Sequence, residues 1–251
     1  MVALDDLVTF LDKELRTASI PDYPGAMNGL QLANSGQVCR IVAAVDASLP
    51  VIEAAAEGGE GLLIVHHGMF WQGARPVIGA FYRKLKTAMD AGLAVYSSHL
   101  PLDVHPQLGN NIRLAEAMGM LNPAPFFDHK GLAIGLRGGW SGTRQDLANV
   151  LTKAVGGPVH ICPGGPENIK SVALITGGAG SEVEKIAAYD VDTFITGEGP
   201  HWSYPLGEEL GMNIFYAGHY ATETFGVQAL AAALSEQFQI PWSFIDRPTG
   251  L

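Results

Sequence analysis

The sequence predicts an α/β protein with two duplicated α/β/α lobes, each built on a mostly parallel sheet. Short β-branched strands alternate with amphipathic helices along the chain. The two halves repeat the same pattern, and polar side chains follow equivalent strands in each half. Because strand–helix–strand alternation is typical of βαβ units, the strands are expected to pair in parallel. The 251 residues, 47% of them hydrophobic, suffice for two cores of this kind.

The first half opens with leucines at helical spacing, Leu4, Leu7, Leu11 and Leu15, which predict an amphipathic helix. Buried strands are then predicted at residues 41–45, 62–65 and 93–97. Helices are predicted at 50–57, 78–89 and 110–118. Gly92 is placed where the second of these helices should end.

The second half begins after a predicted connector at residues 122–131, which contains Pro123 and Pro125. Thr143 and Asp146 predict a capping box for a helix at 143–155. Strands are predicted at 131–137, 171–175, 193–196, 213–217 and 242–245, and helices at 182–188 and 227–238. We therefore divide the chain into a first lobe at 1–124 and a connector with a second lobe at 125–251, as one module.

The repetition extends to polar residues. His99 and Asp103 follow a strand in the first half, and His219 and Glu223 follow the corresponding strand in the second. The first half thus has an HxxxD motif where the second half has HxxxE, and each motif follows a strand. This correspondence indicates an ancient duplication. Ligands of parallel sheets bind at the carboxyl ends of the strands, so these residues are expected at a binding site.

Composition narrows the classes of partner. The net charge of −10 argues against a surface that tracks nucleic acid, but permits a small anionic ligand held through metal ions. Two distant cysteines, Cys39 and Cys162, exclude a disulfide framework and favour the cytoplasm. The acidic N-terminus is unlike a signal peptide, and no membrane span is expected. A charged fraction of only 16% favours a homo-oligomer.

Three motifs supply candidate metal ligands. His66 and His67 directly follow a buried strand, where two imidazoles suit a divalent transition metal such as Zn, Fe, Mn or Ni. Each motif also has a purely structural interpretation. His66 and His67 could be one satisfied and one exposed histidine, Asp103 could cap a turn, and Glu223 could stabilise the start of a helix.

Taken together, the five donors His66, His67, Asp103, His219 and Glu223 exceed the three protein ligands of a common catalytic zinc site. They fit two divalent ions bridged by a carboxylate and a water. Glu223 is the expected bridge, because a carboxylate has two oxygens to share.

Proton transfer would fall to other residues. His99, or Glu198 with His201, could serve as general acid or base. The remaining histidines, His105, His129 and His160, are expected to be structural or to lie on the surface. The segment Asn28-Gly29-Leu30-Gln31 is typical of a turn.

Four segments resemble the NIF-three-like dinuclear-metal proteins, often labelled GTP cyclohydrolase 1 type 2 homologues: VHHGMFW, SHLPLDVHPQLGNN, TGEGPH and AGHYATETFG. The short bacterial YbgI type is the most similar. The resemblance implies a metal site between the two lobes and a toroidal homohexamer. It also implies that His67 and Asp103 hold one metal, that His66 and His219 hold the other, and that Glu223 bridges them.

Two functions remain open from the sequence. The first is a metal-dependent hydrolase of a small nucleotide-like or phosphorylated substrate, with GTP cyclohydrolysis as a specific version. The second is a non-enzymatic, metal-dependent binding, regulatory or metal-carrier protein. A family label does not decide between them, because fold does not imply function.

Overall fold

The computed structural model describes residues 1–251. The strands are β1 (Val2–Ala3), β2 (Gly29–Leu32), β3 (Gln37–Val38), β4 (Ile41–Asp46), β5 (Gly61–His67), β6 (Leu93–Ser97), β7 (Leu121–His129), β8 (Leu132–Thr143), β9 (His160–Pro163), β10 (Asn168–Leu174), β11 (Thr193–Thr196), β12 (Asn213–Tyr216) and β13 (Trp242–Phe244).

The helices are α1 (Leu4–Glu14), α2 (Leu49–Ala56), α3 (Gly79–Asp90), α4 (Leu100–Asp103), α5 (Asn110–Met118), α6 (Arg144–Val155), α7 (Val183–Ala187), α8 (Ser203–Glu209), α9 (His219–Thr222) and α10 (Thr224–Phe238). A short 3₁₀ turn, Gly180–Glu182, precedes α7. None of these helices is both long and apolar enough to span a membrane.

Two compact units divide the chain. The first comprises residues 1–102 and 226–247, and the second comprises 103–225 and 248–251. Residues 226–247 belong to the first unit because strand β13 pairs in parallel with β4 and forms the edge of its sheet. The lobes 1–124 and 125–251 were defined from the sequence repeat and not from these units. They remain a proposal about the duplication.

The first unit contains a five-stranded sheet in the order β13-β4-β5-β6-β2, in which only β2 runs antiparallel to its neighbour. Alternate residues of β4, β5 and β6 face α2 and α3, where they form an apolar cluster that includes Val42, Leu63 and Val95. The opposite face is also buried, as at Ala43 and Ile64. Burial on both faces explains why these strands are apolar without alternation.

The second unit contains a six-stranded sheet in the order β7-β8-β10-β11-β12-β9. Its central strands β10, β11 and β12 are parallel, as predicted, but β7, β8 and β9 pair antiparallel. Neighbouring residues Phe194 and Ile195 belong to different apolar clusters, one on each face of the sheet. This layering confirms the predicted α/β class and gives a mixed sheet with more antiparallel pairing than expected.

Three sequence expectations were wrong, all for the same reason. The predicted connector at 122–131 is largely strand β7, the predicted break at 158–166 contains strand β9, and the predicted turn at Asn28–Gln31 overlaps strand β2. All three strands lie at the edge of a sheet. Prolines and glycines are tolerated there, because an edge strand can lack hydrogen bonds on its outer side.

Candidate metal centre

The parallel strands of the first unit end in polar residues. Strand β5 continues through His66 and His67, so both rings lie within the strand rather than after it. The Nδ1 atom of buried His66 lies 2.9 Å from the carbonyl oxygen of Ser98. The Nδ1 atom of His67 lies 2.9 Å from Oδ1 of Asp46, the last residue of β4. The neighbouring strand ends therefore orient both rings.

His99 follows β6 and is held by the loop before β2. Its Nδ1 atom lies 2.9 Å from Oδ1 of Asp22, and its backbone N–H donates to Oδ1 of Asn28. Burial raises the pKa of Asp22, but the hydrogen bond and charge of His99, with hydrogen bonds from Asn28 and the N–H of Tyr23, together outweigh it and hold this pKa below its usual value. Asp22 is therefore a carboxylate that accepts a hydrogen bond from the Nδ1–H group of His99.

These three imidazoles form a group that could hold a metal ion. The ligating atoms of His66, His67 and His99 lie within 4.8 Å of one another. In each ring Nδ1 faces an oxygen that accepts a hydrogen bond, so the neutral ring carries its proton on Nδ1. Nε2 is then the nitrogen whose lone pair can coordinate a metal ion or accept a proton. Histidine ligands of metals characteristically donate their other N–H to a carboxylate or carbonyl in this way.

The second unit repeats this arrangement after β12. His219 Nδ1 lies 2.9 Å from Oε1 of Glu198, and its Nε2 lies 3.2 Å from Oε1 of Glu223. Burial lowers the pKa of His219, but the two carboxylates outweigh it and raise this pKa to about 9. Glu223 itself is 3% exposed. An imidazole and a buried carboxylate are thus brought to one point, and the residues between them form the single turn α9.

Two glycines make room for this pair. A side-chain carbon on Gly177 would lie 2.2 Å from Oε1 of Glu223, and one on Gly197 would lie 2.6 Å from the Cα atom of His219. Gly177 also has a φ of +71°, which disfavours other residues. The backbone of both glycines therefore approaches the candidate ligands directly.

Asp103 belongs to the second unit, ends the short helix α4 and is 7% exposed. Its Oδ1 atom accepts a hydrogen bond of 2.8 Å from Nδ2 of Asn110. Asn111 donates to the backbone carbonyl of Asp103 and accepts from the N–H of Thr176. A buried carboxylate fixed by an amide donor is suited to ligate a divalent ion.

The remaining histidines do not belong to these groups of candidate ligands. Exposed His201 lies beside Glu198 on the wall of a surface pocket, which exposed His160 also lines. His105 is buried, and its Nδ1 atom accepts from the N–H of Leu108, a structural role. His129 ends strand β7.

Sequence reasoning missed the residues that orient these ligands: Asp22, Asp46, Ser98, Asn110 and Gly177. Asp46 could have been found, because it directly follows the strand predicted at 41–45, on the edge where ligands bind. Asp22 gave no signal, since it lies in a loop 77 residues from its partner.

The donor set of each unit fits a divalent transition metal. Neutral imidazoles with a fixed tautomer and buried carboxylates are the nitrogen and oxygen donors that such ions prefer. Four histidines have Nδ1 held by an acceptor, which is difficult to explain by packing alone.

Comparison with known proteins agrees with the resemblance of the motifs. A protein of Deinococcus radiodurans named GTP cyclohydrolase 1 type 2 homolog is 40% identical over 252 residues, covering 100% of this chain and 95% of that protein. The crystal structure of TTHA1606 from Thermus thermophilus has a TM-score of 0.92 at 38% identity, with both chains covered completely. Protein ybgI, described as of unknown function, also has a TM-score of 0.92, at 35% identity and with full coverage of both chains.

The family model of Duf34/NIF3 (NGG1p interacting factor 3) matches residues 2–249. This match spans both compact units and every motif on which the resemblance rested. The chain therefore belongs to the Duf34/NIF3 family.

Proposed function

We propose that this protein binds two divalent metal ions through His66, His67, Asp103, His219 and Glu223, and that it hydrolyses a small nucleotide-like or phosphorylated substrate. His67 and Asp103 would hold one ion, His66 and His219 the other, and Glu223 would bridge them. The names of the curated relatives favour a reaction of the GTP cyclohydrolase type.

The observation that carries this proposal is the common orientation of the histidines. His66, His67 and His219 each direct Nδ1 at an oxygen acceptor, at 2.9 Å in all three cases. This interaction selects Nε2 as the coordinating atom and limits rotation of the ring. A histidine that only fills space would not need such a partner in every case.

When bound, the two ions would lower the pKa of a coordinated water and polarise the scissile centre. The chain's own groups supply orientation and proton transfer. Glu198 accepts a hydrogen bond from Nδ1–H of His219, and Asp22 accepts one from Nδ1–H of His99. His99 can then accept a proton at Nε2, and exposed His201 can exchange one with solvent.

The expected substrate is anionic despite the net charge of −10, because two bound cations would invert the local electrostatic potential. We further propose that the protein acts in the cytoplasm as a homohexamer. Neither a nucleic acid nor a membrane is proposed as a partner.

A metal-dependent activity assay tests the function. Metal-depleted protein is reloaded with Mn, Zn or Fe and incubated with GTP and related phosphorylated metabolites, and formate, phosphate and ring-opened products are measured. We expect turnover only in reloaded protein. If ligands bind in a metal-dependent manner but no product forms across the panel, the non-enzymatic binding function replaces the hydrolase.

Metal analysis tests the bridge separately. Glu223→Ala should lower the metal content well below two ions per chain, because one residue contacts both ions, whereas Asp103→Ala should mainly remove one. Glu236→Ala, an exposed position on α10, is the matched control. Unchanged stoichiometry in Glu223→Ala would show that the bridge is misassigned.

A further inference from the structure

A pocket of about 480 Å³ opens on the second unit, beside Glu198. Strand β9 supplies His160, the end of β12 supplies Tyr216, and the start of α8 supplies Tyr204. This volume lies within the range of about 300–1,000 Å³ that small-molecule sites occupy. The proposed hydrolytic mechanism uses none of these three rings.

The aromatic rings of the pocket form a common wall. The ring centroids of His160 and Tyr204 are 5.6 Å apart with planes inclined by 37°, and those of His160 and Tyr216 are 6.0 Å apart and inclined by 31°. His160 and Tyr216 are also direct partners in the pairing of β9 with β12. The wall is therefore held by backbone pairing.

Tyr216 is fixed further by its hydroxyl group. Ser203 donates to the carbonyl of Pro200, and the hydroxyl of Tyr216 lies 2.7 Å from the same serine oxygen. Gly199 packs so closely that a side-chain carbon there would lie 2.9 Å from the Tyr216 ring. Tyr216 therefore lines the pocket with its hydroxyl group engaged by Ser203.

The polar groups of the pocket favour a ligand with N–H donors. Glu198 uses Oε1 for His219, while its side chain remains 43% exposed. Its second oxygen can therefore accept hydrogen bonds from a ligand. No lysine or arginine lines the pocket. A phosphate group would meet no permanently cationic side chain there, whereas a neutral ring with N–H donors would meet aromatic surface and an acceptor.

We infer that this pocket binds a planar, N–H-bearing heteroaromatic ring, as in a purine with amino groups. The inference rests on the proposed function in one respect: the ring would belong to the same nucleotide-like substrate. Of the two substrate classes proposed above, the pocket favours nucleotide-like compounds over phosphorylated compounds that lack an aromatic ring. Glu198 then has two roles, since it orients His219 and accepts hydrogen bonds from the ring.

Equilibrium binding to the metal-depleted whole protein tests the inference without turnover. Guanosine supplies the ring and N–H donors, purine riboside supplies the ring without those donors, and ribose 5-phosphate supplies only the sugar and phosphate. Binding is measured by calorimetry and ligand-observed NMR. We expect guanosine to bind about tenfold more tightly than purine riboside, and ribose 5-phosphate to bind no better than background.

Variants locate the binding. His160→Ala and Tyr204→Ala should each weaken guanosine binding about tenfold, because each removes one stacking surface. Tyr204→Phe keeps the ring and should bind as the wild type does. His129→Ala, on strand β7, is the control for loss of a histidine. His160 is exposed on an edge strand, so its replacement should leave the fold intact.

The outcomes separate this inference from the hydrolase proposal. Guanosine binding that both pocket variants leave unchanged would overturn the pocket, as would the absence of guanosine binding to the metal-depleted protein. The hydrolase proposal would survive either result. If the variants weaken guanosine binding and the metal-reloaded protein forms no product in the separate activity assay, the pocket is supported and the hydrolase proposal fails.

Discussion

At the scale of single residues, the candidate centre depends as much on the partners of the ligands as on the ligands. Asp46, Ser98 and Glu198 each hold Nδ1 of one histidine. Loss of such partners typically costs about 10–100-fold in metal affinity. The functional positions of this chain therefore extend beyond its histidine motifs.

Gly177→Ala should weaken metal binding by displacing Glu223. The added methyl carbon would lie 2.2 Å from Oε1 of Glu223, so the carboxylate must move. Gly211→Ala is the matched control, because Gly211 has a similar φ of +68° but nothing within 4 Å of an added carbon. Elemental analysis after dialysis should show lower metal content only in Gly177→Ala. Equal losses in both variants would assign the effect to backbone strain.

Metal binding should release a proton from His219. Because the pKa of this ring is raised to about 9, the metal-free protein carries a proton on it at pH 8, and coordination requires the neutral ring. Calorimetry in buffers of different ionisation enthalpy should therefore detect proton release at pH 8. Glu198→Gln removes one of the charges that raise the pKa and should reduce the release, whereas Glu209→Gln at an exposed position should not.

The same proton has a defined effect on stability. The folded pKa of His219 lies above the ordinary value of 6.5, so folding favours protonation. In metal-depleted protein this contribution to the free energy of unfolding is complete below pH 6.5 and disappears as the pH rises through about 9. The melting temperature of the wild type should exceed that of Glu198→Gln by an amount that shrinks as the pH rises across this interval. A difference that grows with pH would contradict the assignment.

At the scale of elements, local signals placed most helices and the buried strands. The capping box of α6 is present as predicted: the Thr143 hydroxyl accepts from the N–H of Asp146, whose carboxylate accepts from the N–H of Thr143. Strand β6 and helix α5 have the predicted bounds. These elements can be predicted from residues that lie only a few positions apart in the sequence.

Thr143→Ala should destabilise the protein by about 1 kcal/mol, because it removes an N-cap hydrogen bond. Urea denaturation of metal-depleted protein measures this change. Thr152→Ala, at an exposed position inside α6, is the control and should be neutral or slightly stabilising, since alanine favours helix. Equal destabilisation in both variants would show that the cap contributes nothing.

At the scale of the whole molecule, each unit contains three parallel strands that follow one another in the chain, β4–β6 in the first unit and β10–β12 in the second, with one antiparallel strand beside the last of them. Strand β2 occupies that place beside β6, and β9 occupies it beside β12. In each unit the antiparallel strand precedes the three parallel strands in the chain. This shared topology supports the duplication proposed from the repeated motifs.

Six copies of the chain should associate in solution. Exposed apolar side chains lie at the two ends of helix α3, with Ile78 at 71% exposed and Met89 at 58%, and an interface between chains would bury them. The low charged fraction points the same way. Sedimentation equilibrium at micromolar concentration should give a mass close to six chains, and a particle of 26.6 kDa would exclude the assembly.

Periodicity, capping residues and repeated motifs were enough to predict the α/β class, the family and the candidate ligands. These signals depend on residues adjacent in the chain or on short patterns repeated in it. The edge strands β7 and β9 escaped, because prolines and glycines in their segments are typical of loops, and pairing with β8 and β12 overrides that local preference.

The partners of the ligands required the folded chain. Asp22 lies 77 residues before His99, and Glu198 lies 21 before His219. Asn110 and Gly177 likewise act on carboxylates that no local pattern connects to them. Hydrogen bonds and close approaches between distant segments form only when strands and loops pack together. Sequence pattern therefore identified the candidate ligands, whereas tertiary packing determined which atom of each imidazole is presented to a metal.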